Sequence, residues 1–467
     1  MEALLRNAYG YPTLDGWSPT SLRLRPIPDT QCENTAIGGV YWIKCDAKDI
    51  KVALTCTPKR NSMAPGSSTT FDVWYAHPTK PGWIGIPRFL GLSLFGRPQK
   101  DIRMEGSQVH FELSTKRDLR DYQKEAVRKC LEGLHEWGGS TLIADCGAGK
   151  TAMAFAIAAT LKRKTIVLLN REFLMKQWEL DVCGTVERDA WITGATAGWL
   201  QGKIYKDGDI VLASIDSLSQ CHYEAKILQQ FGLVIIDEMH HLAATTLSQV
   251  LPRLPAKYVL GISATPSRND GLEHLLYWLA GPTSFVYKRI PEITGKRGTV
   301  EVKRINFSGG NQVVEYTQSG TMNFSKMITL LAQDEERNAC VLEQVRLLQS
   351  RGKILVVTSL VDHAKYLASA LNCVAMYGGS KKSVEGQRIL VATYQLLEEG
   401  YDDADLDTLV LALPRSKIQQ VVGRCERTKV GKLTPLIIDI VDTFSVFFAM
   451  FKKRNKFYSE RAFAFVS

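Results

Sequence analysis

Ala144-Asp145-Cys146-Gly147-Ala148-Gly149-Lys150-Thr151 follows the apolar run Thr141 to Ala144 and precedes the helix-forming Ala152 to Leu161. A turn that binds phosphate needs small residues, so that backbone N–H groups approach the oxygens, a lysine for the β and γ phosphates, and a hydroxyl for Mg²⁺. Gly147, Ala148 and Gly149 supply the first, Lys150 the second and Thr151 the third. A chance glycine-rich turn would lack the strand before it and the helix after it.

Further along, Leu233-Val234-Ile235-Ile236-Asp237-Glu238-Met239-His240 ends a buried strand in two adjacent carboxylates. Asp237 suits Mg²⁺, usually through water, and Glu238 suits orienting and deprotonating an attacking water. Alone, such a pair could cap a helix; after a phosphate turn it reads as the acidic half of an ATP site. His240 completes a D-E-x-H box, whereas His241 reads as a surface histidine. Ser263-Ala264-Thr265-Pro266 follows the next strand, and its hydroxyls suit linking the acidic box to movement of a second domain. Ser and Thr also cap helices, so the weight of this triplet lies in its order after the other two motifs.

The rest of the chain supplies the frame. At 467 residues it suits two or three domains, and 45% hydrophobic with 23% charged residues is a globular composition. Lys and Arg number 58 against 48 Asp and Glu, a net +10 that suits an anionic partner without requiring one. Eleven basic and four acidic residues lie between Pro414 and Ser467. The ten cysteines are scattered and form no C-x-x-C pair, so neither a zinc ribbon nor a dense disulfide framework is indicated, and a reducing compartment is the simpler inference. No run approaches the 18 or so apolar residues of a membrane span, so a soluble, intracellular protein is expected.

Residues 1–112 carry short β-type runs (Val40 to Ile43, Val52 to Thr55, Phe71 to Tyr75) split by Pro, Gly and Ser, and read as a separate strand-rich module. From about Leu119, apolar runs alternate with helix-length segments: Thr141 to Ala144, Thr165 to Leu169, Ile210 to Ala213, Leu233 to Ile236 and Tyr258 to Ile262. This is the pattern of buried parallel strands with crossover helices. It pauses near Gly281 to Gly320, read as a domain junction. It then resumes with a helix near Asp334 to Leu348 and strands at Ile354 to Thr358, Ile389 to Ala392, Leu409 to Leu413 and Pro435 to Ile440. The expectation is an α/β chain with domains at 113–290 and 291–467 behind the module. The last of these has no phosphate turn but offers Gln420-Val421-Val422-Gly423-Arg424-Cys425-Glu426-Arg427, two arginines on one side of a helix. Arginines so placed suit the charge that develops on a γ-phosphate; a solvated basic helix is the alternative.

In this order the motifs resemble those of superfamily 2 helicases from Leu119 to Arg427. The first glycine of the general phosphate turn is Ala144 here, as in the superfamily's A-x-x-G-x-G-K-T variant. Leu119-Arg120-Asp121-Tyr122-Gln123 resembles the adenine-recognition element, which assigns Arg120 and Gln123 to the nucleotide. Thr393 with Glu399-Gly400-Tyr401-Asp402 resembles motif V, and Lys353 to Thr358 the motif IV strand. Within the superfamily the resemblance is to DNA helicases of large nucleo-cytoplasmic DNA viruses, the poxvirus transcript-release type among them, and to phage UvsW-like helicases. It is carried by Ile86 to Leu92, Phe231 to Leu242, Ser263 to Leu272, and Asp439-Ile440-Val441-Asp442 followed by Lys453-Arg454 and Phe457-Tyr458. Cys425-Glu426 departs from the usual apolar pair, and the stretch between Tyr377 and Arg388 is short.

The resemblance implies two tandem RecA-like domains, ATP and Mg²⁺ as cofactors, and nucleic acid as partner, DNA before RNA, in a setting of viral transcription, repair or replication. For a viral protein it implies the host cytoplasm or the virion. It assigns nucleic-acid contacts to motif Ia (Asn170-Arg171-Glu172 through Gln177-Trp178), motif Ic (Ser214 to Ser217), motif IV near Ser359 and motif V at Thr393, and gives Gly400 and Asp402 to the nucleotide. Gln177 and Trp178 suit helix packing equally well. Trp42, Trp74, Tyr75, Trp83 and Phe89 suit either the core of a small β domain or a stacking platform for bases. Lys452-Lys453-Arg454-Asn455-Lys456 suits either a solvated helix face or a phosphate contact.

Overall fold

The structure is a computed structural model. It describes residues 31–44, 51, 54–57, 70–145, 147–185, 189–242, 244–264, 271–288, 300–310, 313–318, 320–378, 386–398, 403, 405–426 and 433–466. Cys146, Thr265, Gly400, Asp402 and Arg427 lie outside these. The chain divides into two compact units, Met1–Lys288 and Arg289–Ser467.

In the first unit, five strands form a sheet: β1 (Gln31–Ile37), β2 (Tyr41–Lys44), β3 (Tyr75–Ala76), β4 (Trp83–Ile86) and β5 (Arg97–Asp101), in the order β3-β4-β2-β1-β5. Helix α1 (Arg88–Phe95) crosses from β4 to β5. This region was expected to be a module of its own, yet its Ile37, Tyr41, Ile84 and Phe89 belong to one hydrophobic core with Met239, Leu276 and Trp278 of the nucleotide-binding part. The approach is close. A Cβ on Gly139 would stand 2.1 Å from the Phe89 ring, and Arg88 is buried with its guanidinium on the carbonyls of Ala256 (2.8 Å) and Leu254 (3.3 Å).

After α2 (Asp121–Trp137) comes an eight-stranded sheet: β6 (Gly139–Ala144), β7 (Thr165–Leu169), β8 (Ala197–Gln201), β9 (Ile204–Lys206), β10 (Ile210–Ser214), β11 (Leu233–Ile236), β12 (Tyr258–Ser263) and β13 (Thr283–Tyr287). The order is β9-β8-β10-β7-β11-β12-β6-β13, with only the β8–β9 hairpin antiparallel. Fully buried β6, β7, β11 and β12 explain the unbroken apolar runs in the sequence. Crossovers include α3 (Lys150–Leu161), α4 (Glu172–Cys183) and α5 (Ile215–Gln220). β13, read as part of a junction, instead lies beside β6, its half-exposed edge position hiding it from a search for apolar runs.

The described residues of the second unit form seven parallel strands: β14 (Glu301–Phe307), β15 (Lys353–Thr358), β16 (Val374–Met376), β17 (Ile389–Thr393), β18 (Leu406–Leu411), β19 (Leu436–Asp442) and β20 (Ala464–Val466), ordered β16-β17-β15-β18-β19-β14-β20. β14 also falls in the expected junction; its apolar Val302, Ile305 and Phe307 are broken up by Lys303, Arg304 and Asn306, so it shows no apolar run, and it lies one strand in from the sheet edge. Helices α6 (Glu335–Leu347), α7 (Val361–Ala370), α8 (Gln419–Cys425) and α9 (Ser445–Glu460) accompany it. Two buried arginines fasten it: Arg337 pairs with both oxygens of Asp442 at 2.7 and 2.9 Å, and Arg454 with both of Asp439 at 2.9 and 2.8 Å. Arg454 is therefore neither a solvated nor a phosphate-binding residue, whereas Lys452, Lys453 and Lys456 on the same helix are exposed.

Candidate nucleotide and nucleic-acid sites

The phosphate turn, the acidic box and Ser263 sit at the carboxyl ends of β6, β11 and β12, which are adjacent, so three motifs distant in sequence converge on one edge of the sheet. Gly147 and Gly149 have φ of +78° and +77°, where a side chain would be strained. A Cβ at Gly149 would also stand 2.3 Å from Gln123 Nε2, so the Gln123 side chain would have to shift.

Lys150 Nζ lies 3.3 Å from Glu238 Oε1 and donates to the carbonyl of Ala144 at 3.3 Å. Glu238 adopts φ +42°, an uncommon conformation for a side chain of its size. Several contacts hold it there: its other oxygen is 3.3 Å from His240 Nδ1 and accepts the Ala264 N–H at 3.4 Å, while its own N–H donates to Asp237 Oδ1 at 2.9 Å. His240 Nδ1 is 2.7 Å from Ser263 Oγ. Asp237 is buried, and its second oxygen accepts the indole N–H of Trp178 at 2.9 Å. Burial, then the neighbouring Glu238 charge, pushes its carboxyl above the usual carboxylate range.

Thr151 in the first turn of α3 and Asp237 are hard oxygen donors of the kind Mg²⁺ takes. Among the described residues no group of three His, Cys, Asp or Glu is arranged to hold a metal ion, and at this site the phosphates of a nucleotide would complete its shell. Arg120 and Gln123 open α2. The Arg120 N–H donates to Gln123 Oε1, while Gln123 Nε2 and Tyr122 OH both donate to the carbonyl of Ala148, at 2.9 and 3.0 Å. The expected adenine element thus also buttresses the phosphate turn. Tyr122 stacks on Tyr287 of β13 with centroids 4.0 Å apart, a partner the sequence does not reveal because β13 carries no buried apolar run.

Of the expected nucleic-acid contacts, Arg171 is exposed at the N-cap of α4 and Gln177 is half-buried. Ser214 caps α5 by accepting the Ser217 N–H, and Thr393 is buried at the end of β17. Trp178 is buried against the ATP motifs and is not available to nucleic acid. Among the N-terminal aromatics Phe89 is core, Tyr75 OH donates to the carbonyl of Ser248, and Trp42 and Trp83, both half-buried, flank His77. In the second unit Arg424 on α8 donates to the carbonyl of Leu397 at 3.4 Å, with Gln420 one turn before it.

A chain with two parallel sheets, one of them carrying a phosphate turn beside a D-E-x-H box, has the architecture of a nucleotide-driven motor. The type III restriction enzyme, res subunit, family matches residues 116–268. Over 441 residues the chain is 31% identical to a protein of Acanthamoeba polyphaga mimivirus named as an ATP-dependent RNA helicase, covering 89% of this chain and 82% of that one. It is 32% identical over 186 residues to the DNA 3'-5' translocase XPB2 of Sulfurisphaera tokodaii, 39% of each chain. Among solved structures, Saccharomyces cerevisiae Dbp5 bound to RNA and ADP-beryllium fluoride shares the fold at a TM-score of 0.51 and 12% identity, over 73% of this chain and 89% of that one. The chain belongs to helicase superfamily 2, in the group found in large DNA viruses, and is an ATP-hydrolysing helicase that acts on nucleic acid. Among the described residues no helix is long and apolar enough to cross a membrane.

Proposed function

We propose that the chain uses Mg²⁺·ATP to unwind or remodel DNA duplexes, with Lys150 and Thr151 binding the nucleotide, Asp237 holding the metal and Glu238 activating water. The observation that carries the ATP half is the convergence of Lys150, Asp237 and Glu238 at the ends of β6 and β11. When bound, Mg²⁺ supplies charge neutralisation at the phosphates. Lys150 adds a second positive charge there, and Glu238 takes a proton from water. Arg120, Gln123, Gly147, Ala148, Gly149, Gly400 and Asp402 are assigned to the nucleotide, and His240, Ser263 and Thr265 to coupling. Gln420, Arg424 and Arg427 are assigned to the γ-phosphate charge. Arg171, Gln177, Ser214 and Thr393 are assigned to the nucleic-acid backbone, whose phosphates a stepping motor grips without regard to sequence.

The choice of DNA is supported by the archaeal relative named as a DNA translocase. A second reading, RNA, is supported by the name of the mimivirus relative. Substrate choice is assigned to residues 1–112, where Trp42 and Trp83 are half-buried on either side of His77. ATPase and strand-displacement assays over matched DNA, RNA and hybrid substrates test this. Stimulation and displacement with DNA are expected; stimulation by RNA alone selects the second reading, and stimulation by DNA without displacement at either polarity makes the chain a remodelling or transcription-termination factor.

A further inference from the structure

Trp178 lies on α4, the helix expected to touch nucleic acid, yet its indole is turned inward and is only 2% exposed. Its Nε1–H donates to Asp237 Oδ2 at 2.9 Å, and its ring meets Phe155 of α3 edge-on, with centroids 5.0 Å apart. Asp237 is also held through its backbone, whose N–H donates to the carbonyl of Leu168 on β7 at 3.2 Å. β7 runs into α4 through Asn170 and Arg171. A single strand and helix thus grip Asp237 at both its main chain and its side chain, and the same helix touches the one that begins at Lys150.

The chemistry of the donor matters. A lysine or arginine in this place would neutralise Asp237 and compete with a metal ion for it. An indole N–H is neutral and donates one hydrogen bond, so it fixes the direction of the carboxylate and leaves the charge in place. Each oxygen of Asp237 accepts one such bond, Oδ2 from Trp178 and Oδ1 from the Glu238 N–H at 2.9 Å, and each keeps a further lone pair.

We propose that Trp178 is a positioning residue that orients the Asp237 carboxylate for Mg²⁺, and that through it α4 joins the Arg171 end of motif Ia to the ATP site. This rests on the assignment of Asp237 as the metal-holding residue. The test compares wild type, Trp178→Phe, a chain carrying 3-benzothienylalanine at position 178, which keeps the indole shape without the N–H, and Asp237→Asn. Binding of a fluorescent ADP analogue is measured first in EDTA and then against rising Mg²⁺, with Mn²⁺ binding followed by electron paramagnetic resonance. Both position-178 variants should bind the analogue in EDTA within twofold of wild type. Their half-saturating metal concentration should rise about tenfold, the scale of one lost hydrogen bond to a charged group. An unchanged metal requirement in either variant, or a weakening in EDTA as large as that with metal, overturns the proposal and leaves Trp178 a packing residue. Asp237→Asn with a wild-type metal requirement overturns the underlying assignment instead, and the benzothienyl chain keeps the test open should the phenylalanine variant fail to fold.

Discussion

Nζ of Lys150 stands 3.3 Å from Oε1 of Glu238, so the cation of the phosphate turn is held by the carboxylate proposed to activate water. Both groups are largely buried, at 10% and 22% exposure. On the proposed assignment, ATP would draw Lys150 to its phosphates and break this pair, which would release Glu238 for water when nucleotide binds. Lys150→Ala should therefore lose ATP binding and hydrolysis together. Glu238→Gln should keep or tighten binding, because a competitor for the lysine is gone, while turnover falls by roughly 10²- to 10⁴-fold, the usual worth of a general base. Equilibrium binding of a fluorescent ATP analogue beside steady-state phosphate release reads the two apart. Equal loss of both in Glu238→Gln would leave Glu238 only the task of holding Lys150.

Behind that pair, His240 Nδ1 is placed 3.3 Å from Glu238 Oε2 and 2.7 Å from Ser263 Oγ, so one imidazole nitrogen links the acidic box to the end of β12. If this chain of contacts serves coupling, Ser263→Ala should leave nucleic-acid-stimulated ATPase within about tenfold of wild type and lower the base pairs separated per ATP by more than that. A parallel fall in both rates would place Ser263 in hydrolysis.

Much of this arrangement was legible beforehand because the motifs lie at the ends of wholly buried strands, and strands such as β7 and β11 announce themselves as Thr165 to Leu169 and Leu233 to Ile236. What was not legible were partners brought by the fold from outside the motifs. Tyr287 sits in an edge strand without an apolar run, and the Trp178 indole could face either way on a helix whose apolar periodicity is weak. Arg454 looked like one of five polar tail residues, and only the buried Asp439 and Tyr458 beside it distinguish it from its neighbours. The N-terminal strands misled in the opposite sense. Their turns and short runs marked a change of architecture, but a change of architecture is not a separate core.

The consequence of that shared core is measurable. Phe89 is wholly buried and rests on Gly139, the first residue of the strand that leads into the phosphate turn. Truncating it to alanine should cost about 3–5 kcal/mol, in the range of large-to-small core changes. A chain beginning at residue 113 would lose Phe89 and the other N-terminal members of the core that also holds Leu276 and Trp278. Such a truncation should be recovered as aggregate or show a cooperative unfolding transition well below that of the full chain. Intact stability and ATPase in the truncated chain would mean that residues 1–112 fold apart after all.

In the second unit, His363 is buried between two neutral partners. Its Nε2 lies 2.8 Å from Asn338 Oδ1 and its Nδ1 2.7 Å from Thr358 Oγ1. The Asn338 amide nitrogen is already committed to the carbonyl of Ala332, so the amide oxygen faces the ring and Nε2 carries the hydrogen, leaving Nδ1 to accept from the threonine. Burial, then the nearby Arg337 charge, lowers the pKa of His363 from 6.5 to about 3. A base whose folded pKa is depressed binds its proton in the unfolded state first, so its contribution to stability is complete above pH 6.5 and is lost as pH falls toward 3. Across that window the loss for one such group is about 1.4 kcal/mol per pH unit. His363→Gln, which cannot take up the proton, should be less stable than wild type at pH 8 and should close the gap as pH is lowered from 6.5 to 4.5, above the range where most carboxylates titrate. Urea unfolding at a series of pH values measures the difference. A gap that stays constant would mean that His363 titrates alike in the folded and unfolded chains.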